Sequence, residues 1–211
     1  MRAPPSAMEA GDIPAWAFPS GYAGTYRALG TQRAPWQRVL ASCVLDPLGL
    51  VYTRVAETRA DLQAVVPAYA AAVGADGLAY DVRQRYHPGW VAHGVVVSTP
   101  RDVVTCYGGV LSGALLSAQR VRAMTTLVHV PGASFRFGPL GYGVGLMGTA
   151  VSPDGPLWGH NGSGPGFRAS AFHAPAFPGG AVTVCVMCAI EDDEAAEGMV
   201  AEALALLVVL G

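Results

Sequence analysis

Residues 160–167 read His-Asn-Gly-Ser-Gly-Pro-Gly-Phe, an imidazole and a carboxamide set at the head of a glycine-rich run. If LWGHNG (157–162) is a strand, its side chains alternate, so His160 and Gly162 share one face and Asn161 takes the other. A histidine beside a bare glycine leaves an open surface against which an extended amide can lie. The glycine-rich turn that follows exposes backbone N–H groups suited to an oxyanion. The same residues also make a tight hairpin whose histidine holds one structural hydrogen bond, and the residues alone leave both uses open.

A second run, GVGLMG (143–148), spells the G-x-G-x-x-G dinucleotide fingerprint. That fingerprint works only between a strand and a helix N-terminus that holds the pyrophosphate, and here TAVSPDG follows instead. No acid stands about twenty residues on, where Arg168 and its neighbours lie. The expectation is a strand whose glycines lie close to other backbone.

Four cysteines, Cys43, Cys106, Cys185 and Cys188, are scattered along the chain. The close pair lies in AVTVCVMCAI, which reads as a buried strand, and residues three apart on a strand point to opposite faces. They cannot both ligate one metal, so buried apolar cysteines are expected and no metal site.

All 13 basic residues are arginine, and no lysine occurs among the 211 residues. A phosphate-gripping lysine, a lysine Schiff base and a lysine general base are thereby excluded. The formal charge of −2 gives no electrostatic footprint for nucleic acid or an anionic membrane. The 52% apolar content calls for a folded globular chain. The uncharged stretch Val103 to Gln119 carries three glycines and several hydroxyls and makes a poor membrane span. The N-terminus has prolines and acids where an export signal needs an apolar core, so residues 1–20 read as a poorly ordered lead-in and the compartment stays open.

The elements that must position these residues fall into two halves. The first reads mainly as helix and loop. Ala34–Leu45 places Trp36, Val39, Leu40 and Cys43 on one helical face, stopped by Pro47 and Gly49. Residues 56–75 are alanine-rich but broken by Pro67 and Gly74, and YHPGW (86–90) is a turn. Thr99 as N-cap, Pro100 at the first position and Asp102 three residues after the cap signal a helix to about Gly113. Ser117 caps a second helix to about Thr126.

From Tyr142 the period changes to that of strands: YGVGLMG, LWGHNG, FRASAFHA and AVTVCVMCAI, separated by turns. The final segment is a helix with an acidic first turn and Ala196, Met199, Val200, Ala203, Leu204, Leu207 and Val208 on one face. The whole implies an α+β domain, an antiparallel sheet flanked by helices, over residues 21–211.

In this order the segments resemble the serine β-lactamase-like group, which includes class C β-lactamases, D-alanyl-D-alanine carboxypeptidases and related esterases. The resemblance covers about residues 22–190. His160-Asn161-Gly162 matches the group's His-x-Gly motif, found on an edge strand before a glycine-rich turn. RVLASCVLDPLGL resembles the helix that ends in its Pro-Leu-Gly turn, and HGVVVSTPRDVVTCYGGVLSG its Ser-Thr-x-x-Asp helix. FPSGYAGTYRALG resembles its Tyr-x-Asn segment, with Gly24 in place of asparagine and the spacing to Leu29-Gly30 one residue short.

The resemblance implies an incomplete β-lactamase/transpeptidase-like domain. It also implies acyl transfer through a serine ester, with a β-lactam, a D-alanyl peptide or a simple ester as substrate, and no cofactor. His160 would steer substrate or a proton, and Gly162 would leave room for the substrate. Ser163 would give its backbone N–H to the oxyanion hole, and Asn161 and Gly164 would line the substrate. Tyr22 would shuttle a proton to the leaving group; as a bare residue it is equally a core aromatic. The group's nucleophile, on a Ser-x-x-Lys helix, cannot occur in a chain without lysine. Three functions follow: an enzyme completed by residues outside this sequence, from a misplaced start or a partner chain; a binding pseudoenzyme; or a gene remnant that folds poorly.

Overall fold

The computed structural model describes residues 33–90, 95–133, 135–153 and 155–210. Tyr22, the Tyr-x-Asn-like segment and the lead-in over 1–20 lie outside them.

Helix α1 (Arg33–Leu40) widens into a π-helical turn over Ala41–Leu45 and ends in Asp46–Leu48, closed by Gly49 at φ 63°. Pro47 was expected to stop the helix, yet it sits inside the last turn. Proline brings no N–H to the ladder, and the widened turn lies just ahead of it. The apolar face read over this helix is not buried, since Val39 is 58% exposed and Cys43 is exposed too. Cys106, Cys185 and Cys188 are only half-buried, as is most of the strand that carries the last two, so none of the four is as buried as expected.

The stretch read as helix and loop also holds two small antiparallel pairs. Strand β1 (Arg54–Ala56) pairs with β4 (Val95–Val97), and β2 (Tyr69–Ala70) with β3 (Tyr80–Asp81). Asp81 caps the short helix α2 (Val82–Arg85) by accepting from the Arg83 N–H.

Helix α3 (Pro100–Leu111) starts as its sequence signals: Thr99 Oγ1 accepts from the Asp102 N–H at 3.2 Å. The Asp102 carboxylate, 5% exposed, turns away from the cap. It accepts from Thr53 Oγ1 at 2.8 Å and from the Tyr52 N–H at 3.0 Å, pinning the loop after α1 to the start of α3. Helix α4 (Ala118–Thr125) is capped by Ser117.

The main sheet is a meander of six antiparallel strands whose spatial order is their chain order. They are β5 (Val128–His129), β6 (Gly141–Tyr142), β7 (Met147–Thr149), β8 (Leu157–Gly164), β9 (Phe167–Ala174) and β10 (Val182–Cys188). YGVGLMG, read as one strand, is a hairpin instead, β6 turning into β7 through Gly145 at φ 73°. A Cβ on Gly148 would lie 1.9 Å from the Leu157 carbonyl oxygen, so this glycine admits close backbone. No helix follows, and the nucleotide reading falls.

Helix α5 (Ala195–Leu210) packs on one face of β9 and β10, and α3 packs on the other. The core between α5 and the sheet joins Val200 and Leu204 to Leu140, Met147, Leu157, Phe172, Ala174 and Phe177. The fully buried Phe172 ring meets Phe135 and Phe137 at centroid distances of 5.6 and 5.3 Å. The stripe read on α5 narrows to Ala196, Val200 and Leu204, while Met199, Leu207 and Val208 stay exposed. Cys185 lies beside Cys106 and Tyr107, where burial pushes its thiol up to about 11. Cys188, on the other face of β10, approaches Met199 Sδ at 3.8 Å. Among the described residues no helix is long and apolar enough to cross a membrane. The architecture is α+β, an antiparallel sheet flanked by helices.

Candidate active site

The two neighbours of β8 support different lengths of it. Strand β9 pairs with it from Trp158↔His173 to Gly164↔Phe167, whereas β7 pairs only with Leu157, Trp158 and Gly159. From His160 to Gly164 the edge away from β9 is unpaired among the described residues. A strand edge of this kind offers N–H and C=O groups to an added extended chain.

His160 stands on the exposed face. Its Nδ1 lies 2.6 Å from the Asn161 carbonyl oxygen. A carbonyl only accepts, so Nδ1 carries the proton in this contact, which leaves Nε2 as the ring nitrogen not engaged by it. The Tyr142 ring meets the imidazole edge-on, centroids 5.9 Å apart. Gly162 shares this face. A Cβ there would meet only Ala169, at an ordinary 3.5 Å from its methyl and 4.0 Å from its carbonyl oxygen, and one on Gly164 would touch nothing within 4 Å. The chain itself does not demand glycine at either position, and the surface above them is open.

Asn161 projects from the opposite face. Its Nδ2 donates to Glu197 Oε2 on α5 at 2.5 Å, and Glu197 Oε1 accepts from the Arg136 N–H at 3.1 Å. By alternation the Ser163 side chain shares that face, where a cavity of about 90 Å³ has Asn161, Gly162, Ser163, Arg168, Asp193 and Glu197 in its lining. The structure thus gathers His160, Gly162 and Gly164 on one surface and turns the Asn161 and Ser163 side chains from it, leaving Ser163 only its backbone for that surface.

The glycine-rich turn is bound rather than open. The Gly166 N–H donates to Glu191 Oε1 at 3.3 Å, so it is not a free oxyanion donor. Arg168 donates to Asp193 at 2.6 Å and to the Gly164 and Phe167 carbonyls, tying the hairpin to the segment before α5. Gly166, at φ +71°, presses on the β2–β3 unit, and a Cβ there would lie 2.9 Å from Val82 Cγ2. The Gly166 N–H is thus already taken by a carboxylate, and the Arg168 guanidinium by Asp193, so neither is presented to a phosphate.

Sequence reasoning missed Tyr142 and Glu197. Tyr142 was hidden because its run read as one strand. Glu197 counted only as part of an acidic first turn, although it lies one residue from Ala196 on the buried stripe, and that phase is the signal that could have found it.

The beta-lactamase family profile matches residues 27–207. No curated protein sequence matches the chain. Among solved structures it is similar to a D-stereospecific amidohydrolase from Streptomyces sp., at 27% identity and TM-score 0.59 over 74% of this chain and 44% of that one. It is also similar to an octameric penicillin-binding protein homologue from Pyrococcus abyssi, at 21% identity and TM-score 0.60 over 81% and 37% of the two chains. A D-amino acid amidase from Ochrobactrum anthropi SV3, complexed with L-phenylalanine, aligns at 20% identity and TM-score 0.61 over 90% and 57%. The chain spans 37–57% of the length of these three structures. With the profile running across the helices, the meander and the His-Asn-Gly strand alike, the chain belongs to the beta-lactamase family.

Proposed function

We propose that these 211 residues form the substrate-binding part of a serine hydrolase and bind an extended amide without turning it over. The observation that carries this reading is the unpaired edge of β8 from His160 to Gly164, with open surface over both glycines. The substrate's main chain adds along this edge and Gly162 gives it room. The Ser163 N–H donates to the carbonyl oxygen, and His160 Nε2 accepts from a substrate N–H or hydroxyl. Asn161 acts from behind the strand, and Tyr22 serves as a proton shuttle to the leaving group only in a form of the protein that carries a nucleophile.

A family serine is activated by the amine of Ser-x-x-Lys. Without lysine neither the attack nor the proton transfer is available, so turnover requires a nucleophile from outside this sequence, carried by a longer form of the chain or by a partner chain. The amidohydrolase and amidase among the similar structures favour a D-amino acid amide as the probe ligand.

Intact mass spectrometry of the full chain incubated with a labelled penicillin is expected to show no adduct. D-phenylalanine amide is expected to raise Tm, by an amount equivalent to about 2.7 kcal/mol at a hundredfold excess over Kd. A stoichiometric serine acyl adduct would overturn the absence of turnover, and an unchanged Tm would overturn the binding. The gene-remnant reading has in its favour that no described strand covers the outer edge of β10 and that the Leu206–Leu210 end of α5 is exposed. It requires that thermal unfolding show no cooperative transition.

A further inference from the structure

Past Gly159 the β8 strand loses the support of β7, so the position of its free half depends on β9 and on whatever grips it from either face. Behind it, the grip is Glu197. One carboxylate oxygen accepts from Asn161 Nδ2 and the other from the Arg136 N–H. Arg136 lies between Phe135 and Phe137, whose rings pack on Phe172, so Glu197 joins the free half of β8 to the core.

The carboxamide of Asn161 has its orientation set by this contact, because a carboxylate only accepts and must face Nδ2. Across the ladder Ser170, 1% exposed, offers no competing bond; its Oγ and Asn161 Oδ1 are both buried without a partner. The main-chain carbonyl of Asn161, not its carboxamide, is the group that receives His160 Nδ1. A chain of contacts therefore runs from Glu197 through Asn161 to the imidazole on the far face.

We propose that Glu197 is a positioning residue for His160, acting through Asn161 from the opposite side of the sheet. The assignment rests on the reading of β8 as the substrate edge, and its test is chosen to work without turnover. Asn161→Asp sets two carboxylates against each other. Adding Glu197→Gln reverses the polarity of the pair: the new amide nitrogen donates to Asp, while its oxygen still accepts from the Arg136 N–H. Glu197→Gln alone leaves a route to repair, since the Asn161 carboxamide can turn over.

The readout is the ¹⁵N spectrum of the full chain, with the His160 ring signals assigned through His160→Gln and the Gly162 amide followed alongside. Asn161→Asp is expected to displace both, the double variant to return them to their original positions, and Glu194→Gln, which touches Arg136 but not β8, to leave them unchanged. D-phenylalanine amide should bind about tenfold more weakly to Asn161→Asp and within about twofold of the original affinity to the double variant. The proposal is overturned if a folded Asn161→Asp leaves the His160 signals in place, or if the double variant keeps them displaced or does not fold. Should Asn161→Asp itself not fold, recovery of the fold and of the His160 signals in the double variant supports the pairing. Absence of amide binding by the unmodified chain would sink the substrate reading alone, with the spectral coupling still decided.

Discussion

His160 and Asn161 are adjacent in the chain and serve opposite faces of one strand, the first open to an added ligand and the second held by Glu197. His173 shows what burial does to the same side chain. It stands across from Trp158, with Nδ1 2.8 Å from Thr183 Oγ1, and burial lowers its pKa below the ordinary 6.5. A depressed value in the folded state means that the unfolded chain takes up the proton first. The contribution to stability is therefore complete above pH 6.5 and is lost as pH falls towards the folded value. Urea midpoints measured from pH 7.5 down to pH 5 are expected to fall in the unmodified protein and to fall less in His173→Gln; equal pH slopes would contradict this. The alternation of His160, Asn161 and Gly162 was legible because a strand has a period of two. The partners Tyr142 and Glu197 lie 18 and 37 residues from His160, and no local period reports contacts at such distances.

Elements were legible where their signals are local. Thr99 and Pro100 mark the start of α3, and the bounds of β9 match the run FRASAFHA residue for residue. The pairs β1–β4 and β2–β3 escaped because strands of two or three residues are shorter than any window over which alternation can be read. Helix α1 was misjudged at Pro47 because a π turn ahead of it lets the helix pass a residue that ordinarily ends one. The β8–β9 hairpin was foreseen as a turn, but not its seating against Val82 and Ala68, which requires Gly166 both for its φ of +71° and for the lack of a Cβ. Gly166→Ala is expected to destabilise the protein by about 1–3 kcal/mol, from a left-handed backbone and a packing clash together. Urea unfolding monitored by circular dichroism checks this, and a loss below about 0.5 kcal/mol would show that the tip is not seated as described.

On the scale of the whole molecule, the meander ends on β10, seven residues without a charge or a proline, whose outer edge no described strand covers. Natural edges are usually blunted by charge, proline or a bulge, and an unblunted one pairs with whatever strand it meets. The full chain is expected to self-associate with rising concentration in sedimentation velocity. Met187→Lys, at a position 39% exposed on β10, should shift it towards monomer with a stability change under about 0.5 kcal/mol. A sedimentation coefficient independent of concentration in the unmodified chain would remove this expectation.

The unequal pairing of β8 carries a consequence for how such a chain can drift over generations. Leu157, Trp158 and Gly159 are locked between two strands, and a change there is judged by the fold. Gly162 and Gly164 have open space above them, and a change there is judged chiefly by what the protein binds. Because the two kinds of selection fall on separate halves of one strand, mutation can erase recognition while the sheet stands. A lineage of this family can therefore abandon its trade and keep its shape.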